Sequence, residues 1–208
     1  MNPKAKPRFQ TISRKYPLIL ASSSPRRRRI LEQIALPFRS CPSHIDENHA
    51  AGDPAAVTRT LAERKARAAL LKIKNHWLLG ADTLVVLGEK ILGKPEDPDE
   101  ARDMLLQLSD KDHRVVTGFT LLDPSGDIAH IEEITTIVKM KRVTQKEIEA
   151  YIETGEPLGK AGSYAIQGLG AFMVETISGS YTNVVGLPIC ALIKALLSAG
   201  ALENYPIR

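Results

Sequence analysis

The chain has 208 residues, long enough to bury a sizeable core in one domain or two small lobes, and its balance of 43% hydrophobic and 25% charged residues is that of a soluble globular protein. A formal net charge of +4, with a pI near 9.1, favours acidic partners without choosing between a nucleotide and a nucleic acid. No apolar run reaches the roughly 20 residues that cross a bilayer, and Cys41 and Cys190 form no metal-type pair, so free thiols, no membrane partner and a cytoplasmic location are expected.

Residues 1–16 are basic and lack the continuous apolar segment of a secretory signal. They read as a loose N-terminal arm, which leaves 17–208 as a single domain. Leu18 to Leu31, LILASSSPRRRRIL, runs from a short buried strand through a polar turn into a helix. Ser22, Ser23 and Ser24 are candidate N-caps there, and Pro25 suits the first helical position. Arg26 and Arg27 in the first turn oppose the helix dipole unless an anion joins them. The segment therefore reads either as a solvated basic face or as a phosphate site.

Phe38 to Cys41 is a second strand candidate, and the loop after it carries Asp46 and Glu47, adjacent carboxylates that on their own read as solvated. Asp53 and Pro54 open a helix to about Lys74 that bears Glu63 and Lys65. Trp77 to Ala81 forms an apolar strand ending at Asp82 and Thr83, and Leu84 to Leu87 forms another. Gly88 and Gly93 flank a hairpin, with Lys94-Pro95 beginning the next turn.

Asp97 to Asp99 cap a helix to about Ser109, and His113 to Leu122 and Ile128 to Val143 are strands around the turn Asp123-Pro124-Ser125-Gly126. In the second of these, Ile134, Thr136, Val138 and Met140 share one face, which predicts half burial. Thr144 with Glu147 makes a capping box for a helix ending near Gly155. From Glu156 to Pro188 the chain is dense in glycine and short on helical period, as expected of backbone that approaches a ligand closely. Leu187 to Leu197 closes it with an apolar helix.

Four segments thus offer complementary groups: Ser22 to Arg27 for anions, Glu47 and Asp82 as acids, Lys65, Lys94 and Lys160 as cations, and Gln167 as an amide. Such a set suits a phosphorylated substrate, with cations neutralising phosphates and carboxylates holding Mg²⁺ or activating water. The commonest phosphate-loop, dinucleotide, zinc-protease and CxxC signatures are absent, as is the GxSxG elbow around Ser23. His44, His49, His76, His113 and His130 lack metal-ligand spacing and read as structural or exposed. Taken alone, Asp82 also reads as a turn or cap residue, and Gln167 as a loop amide serving the backbone.

The motifs ASSSPRRRRIL, IDE at Ile45 to Glu47, LAERKA at Leu61 to Ala66, GADTLVV at Gly80 to Val86, GKP at Gly93 to Pro95, KAGSYAIQG at Lys160 to Gly168 and VVGLP at Val184 to Pro188 follow one another in order. On these the chain resembles the Maf family of nucleoside triphosphate pyrophosphatases, from about Leu18 to Leu197. The resemblance implies a Maf/ITPase-like α/β fold, a central mixed twisted sheet flanked by helices, with two lobes around an active-site cleft. It implies hydrolysis between the α and β phosphates of a nucleoside triphosphate, with a divalent cation, Mg or Mn, as cofactor. By motif position, Asp82 looks like the general base and Glu47 like its acidic metal or water partner. Ser22, Arg27, Lys65, Lys94 and Lys160 look like the phosphate-facing set, Lys94 standing by the leaving pyrophosphate.

Arg26, Thr83 and Gln167 look like the positions that sort substrates. The SPRR, ADT and IQG combination is similar to the branch acting on dTTP and UTP, with modified pyrimidine nucleotides and a house-cleaning role implied. A uracil or thymine edge offers an N–H beside a carbonyl, which one carboxamide can match. The alternatives are the same reaction on 7-methyl-GTP or another nucleotide, and a non-catalytic nucleic-acid-binding or septation-regulating protein. Nucleic acid is the less favoured partner. A homodimer fits the resemblance but is not visible in the sequence, and Arg28 and Arg29, beyond the motif, are expected to face solvent.

Overall fold

The computed structural model describes residues 9–43, 45 and 52–207. Seven strands, β1 (Leu18–Leu20), β2 (Phe38–Ser40), β3 (Leu78–Leu87), β4 (Lys90–Leu92), β5 (Asp112–Leu122), β6 (Ile128–Met140) and β7 (Val174–Ser178), form one mixed sheet. Its order is β2-β1-β3-β5-β6-β7, with β4 beside β3. The β2-β1-β3 part is parallel and the rest antiparallel. That division follows from the sequence: the three residues of β1 are all apolar and fully buried, as parallel strands covered on both faces require, whereas β6 alternates.

Among the described residues six α-helices flank the sheet: α1 (Pro25–Gln33), α2 (Pro54–Leu70), α3 (Pro98–Leu108), α4 (Gln145–Glu153), α5 (Tyr181–Val185) and α6 (Ile189–Ser198). The first three each begin with proline behind a capping side chain, Ser24, Asp53 or Asp97, which accepts from a free N–H of the first turn. The capping box at Thr144 and Glu147 opens α4 as expected. Helix α2 ends at Leu70, four residues earlier than its pattern suggested.

On one face of the sheet α2 packs through Ala66 and Ala69 against Ile19, Leu78 and Leu122. The opposite face carries two apolar packs. In one, Ile30 and Leu31 of α1 and Leu192 and Leu196 of α6 meet Leu79, Ala81, Phe119 and Leu121. In the other, Leu105 and Leu108 of α3 and Ile148 and Tyr151 of α4 meet Val85, Val115, Val138 and Met140. Between the packs the facing rung is polar, Thr83 opposite Thr117, flanked by Ala81 opposite Phe119 and Val85 opposite Val115.

Three expectations change. Asp82 and Thr83 do not end a strand: β3 runs unbroken from Leu78 to Leu87 because β5 pairs with it from Leu78 to Val86. What ends there is its other neighbour, for β1 pairs only as far as Leu79 and β4 only from Val85. The glycine-dense stretch after Glu156 also contains β7 and α5, both too short to show a period. Within the arm, residues 9–12 are docked rather than loose: Ile12 is buried, Phe9 meets the Trp77 ring edge-on at 6.0 Å, and the indole donates to the Gln10 carbonyl at 3.0 Å. Among the described residues no helix is long and apolar enough to cross a membrane.

Candidate active site

Because β3 pairs with β1 only up to Leu79 and with β4 only from Val85, residues 80–84 of β3 have a notch beside them, and a cavity of about 340 Å³ opens over it. Its walls include Ser22, Arg26 and Arg27 from the β1–α1 turn, Lys65 of α2, Asp82 and Thr83 of β3, Lys94 after β4, and Lys160 and Gln167 from the segment after α4. Every described residue expected at the site lines this one cavity. Glu47, like Asp46, His44 and His49, lies outside the described residues.

Asp82 points to the α2 side of the sheet. Two glycines bring that helix close, for a Cβ at Gly80 would lie 2.0 Å from the Ala62 carbonyl oxygen and one at Gly118, opposite Asp82, 2.5 Å from the Thr58 carbonyl carbon. The approach places Lys65 Nζ 2.6 Å from Asp82 Oδ1, with the two side chains only 7% and 8% exposed. Asp82 Oδ2 is buried and has no hydrogen-bond partner among the described residues. A buried anionic oxygen without a partner is costly, so it calls for a water, a cation or a substrate proton.

On the other side of β3, three groups among the described residues help to hold Arg27. Its Nε donates to the Gly186 carbonyl at 2.7 Å, Nη2 to Thr83 Oγ1 at 2.9 Å and Nη1 to Ser22 Oγ at 3.2 Å. Thr83 Oγ1 lies 2.9 Å from Thr117 Oγ1, which donates to the Asn183 carbonyl at 3.2 Å. Asn183 Nδ2 in turn reaches the Val115 carbonyl at 3.0 Å and Thr136 Oγ1 at 2.9 Å. Thus the polar rung between the two apolar packs fixes Arg27 and, with it, Ser22. Arg28 and Arg29 are exposed, as their position past the motif predicted.

The third wall is cationic. Burial lowers the Arg26 guanidinium below its ordinary value, with the Tyr151 hydroxyl pulling the other way. Burial, and then the charge of Arg26, lower Lys160 against the pull of Glu156. An anion between these groups would relieve both penalties.

Sequence reasoning passed over Tyr151, Glu156, Thr117 and Asn183. None carries a motif in its immediate neighbourhood that separates it from ordinary core or surface polarity. Only the fold brings them to the site.

The donor set admits a divalent cation at Asp82 Oδ2. Among the described residues no three His, Cys, Asp or Glu side chains cluster as a complete protein-made centre. A cation here would draw its remaining oxygens from beyond the described residues, water and phosphate among them, the mode Mg²⁺ favours.

Residues 17–199 match the model of the family described as Maf-like protein. A relative from Ruminiclostridium cellulolyticum named dTTP/UTP pyrophosphatase is 49% identical over 83% of this chain and 90% of its own. One of the same name from Halalkalibacterium halodurans is 49% identical over 91% and 99%, and one from Citrifermentans bemidjiense 47% over 90% and 97%. A solved nucleoside-triphosphatase, a dITP/XTP pyrophosphatase from Mycobacterium abscessus, aligns at a TM-score of 0.42 and 16% identity over 61% of this chain and 75% of that one.

Proposed function

Since the chain belongs to the Maf-like protein family, we propose that it is a pyrophosphatase that hydrolyses dTTP and UTP to the monophosphate and pyrophosphate. The observation that supports this most directly is the Asp82 carboxylate, one oxygen locked to Lys65 and the other without a hydrogen-bond partner among the described residues, at a cavity walled by Arg26, Lys94 and Lys160. The names of the relatives support the choice of nucleotide.

In this reading the oxygen of a water attacks the α-phosphorus while Asp82 Oδ2 takes its proton. The bond from that phosphorus to the oxygen bridging to the β-phosphate breaks, and pyrophosphate leaves with that oxygen. Lys65 fixes the rotation of the carboxylate, so that Oδ2 rather than Oδ1 faces the substrate. Charge building on the phosphates meets Lys94, Lys160 and Arg26, already in place in a partly dry cavity. Arg27, restrained by Gly186 and Thr83, holds the Ser22 hydroxyl toward the same phosphates. A Mg²⁺ or Mn²⁺ ion held by Asp82, with Glu47 as the second carboxylate, would neutralise and orient the triphosphate. Gln167 reads the pyrimidine edge, its carboxamide matching one donor and one acceptor. The packs on either side of the cavity serve as the two lobes.

Pyrophosphate release across a panel of canonical, modified and 7-methylated nucleotides, with Mg²⁺ or Mn²⁺, tests the reading. Highest kcat/KM for dTTP and UTP is expected, and a preference for 7-methyl-GTP or no release at all overturns it. In the same assay Asp82→Asn lowers kcat by ~10³-fold with the fold intact. A folded variant with wild-type turnover would remove Asp82 from the mechanism.

A further inference from the structure

Gln167 must be held still to discriminate between bases, yet its carboxamide makes no hydrogen bond to any described residue. Its backbone explains how. Two residues before it, the Ala165 N–H donates to the Tyr151 hydroxyl at 3.2 Å. Two and three residues after it, the N–H groups of Leu169 and Gly170 donate to the Glu156 carboxylate at 3.2 and 2.8 Å. Tyr151 and Glu156 lie near each other, the carboxylate adding to burial in raising the Tyr151 hydroxyl above its ordinary value. Ile166 to Gly168 is therefore a three-residue bridge whose two ends meet on one pair of side chains.

The fit is close at both ends. Gly168 has a φ of +124°, and a Cβ there would lie 2.2 Å from Glu156 Oε1. A Cβ at Gly170 would lie 2.6 Å from the Tyr151 hydroxyl oxygen. Lys160, at the other end of the segment, donates from Nζ to the Glu156 carbonyl, so the cation on the phosphate side is tied to the same residue. Tyr151 is itself buried in the core beside α3 and forms a firm base.

We propose that Tyr151 and Glu156 are positioning residues for base selection, clamping the backbone on both sides of Gln167 so that its carboxamide meets the pyrimidine edge in a single orientation. The inference rests on the assignment of Gln167 as base reader. A reader displaced by a fraction of an ångström loses hydrogen bonds that both members of the contact have given up water to make. The pair thus acts on which nucleotide is accepted, and only secondarily on the rate of the chemical step.

The test uses the full chain and pyrophosphate release from UTP and CTP, whose base edges differ in the donor and acceptor at the Watson–Crick positions. Tyr151→Phe removes one oxygen from a buried ring, Glu156→Ala removes the carboxylate, Glu156→Gln keeps one acceptor for the Gly170 N–H, and Gln167→Ala removes the reader. Expected is a fall of ~10-fold or more in the UTP/CTP ratio of kcat/KM for Tyr151→Phe and Glu156→Ala, carried by KM for UTP, with Glu156→Gln recovering most of it. A wild-type ratio in folded Tyr151→Phe and Glu156→Ala, beside a collapsed ratio in Gln167→Ala, overturns the clamp and leaves the reader standing. A wild-type ratio in Gln167→Ala overturns both. Should Glu156→Ala fail to fold, Tyr151→Phe decides.

Discussion

The ion pair of Lys65 and Asp82 is nearly buried, its two side chains 7% and 8% exposed. Lys65→Ala should therefore do more than weaken phosphate binding: it leaves a buried carboxylate uncompensated and should cost about 3 kcal/mol of stability. Urea denaturation of the variant at neutral pH measures this, and an unchanged midpoint would mean that the carboxylate finds water. A second residue sets a pH limit. His113, 2% exposed on β5, lies with Nε2 2.7 Å from the hydroxyl of Tyr164, a residue of the cavity wall. Burial lowers its imidazole to about 4, against the pull of Asp112 and the Lys111 backbone. In the unfolded chain it takes up a proton near pH 6.5, in the folded one only near 4, so stability present above 6.5 drains away as pH falls through that window. The loss amounts to about 3 kcal/mol. Comparing urea midpoints at pH 7.5 and 4.5 should show a smaller drop in His113→Gln than in wild type.

At the scale of elements, the close contact of α2 with the sheet depends on Gly80 and Gly118. Gly80→Ala drives a methyl group into the Ala62 carbonyl, so the helix must lift and carry Lys65 away from Asp82. A loss of about 2 kcal/mol is expected, together with a fall in kcat that exceeds any change in KM, read from thermal melts and steady-state kinetics. Much of this architecture was legible in the sequence. Proline after a capping side chain marks the starts of α1, α2 and α3, and the apolar run of β1 marks a strand covered on both faces. The candidate site residues also pointed to one place, and all the described ones line the same cavity. Harder to read was Asp82-Thr83, a polar pair inside an apolar strand that looks like a terminus. It is tolerated because Lys65 satisfies Asp82 from one face while Arg27 and Thr117 satisfy Thr83 from the other. Contacts between residues 17 to 56 positions apart leave no local pattern. The same reason hides Tyr151 and Glu156, whose roles depend on amides up to 14 residues away.

Across the whole molecule the cavity lies between two apolar packs that share a sheet but little else, and its walls draw Arg26 and Arg27 from one side and Lys94, Lys160 and Gln167 from the other. A bound triphosphate would bridge them and neutralise cations that now face one another. Asp82→Asn, which binds without turning over, should thus melt higher with dTTP or UTP present, the gain reaching about 2.7 kcal/mol at a hundred times Kd. Differential scanning fluorimetry with CTP as control measures this, and equal shifts for all three nucleotides would place recognition in the phosphates alone.

The notch in β3 has a consequence for how such a protein changes over generations. The Asp82 carboxylate belongs to the middle of an interior strand, paired along its length to β5 and packed under a helix, so a change of backbone or volume there disturbs the sheet as well as the site. Gln167, the proposed base reader, hangs from the segment after α4, outside the sheet. A lineage can therefore rework that segment while inheriting the strand that carries Asp82 unchanged.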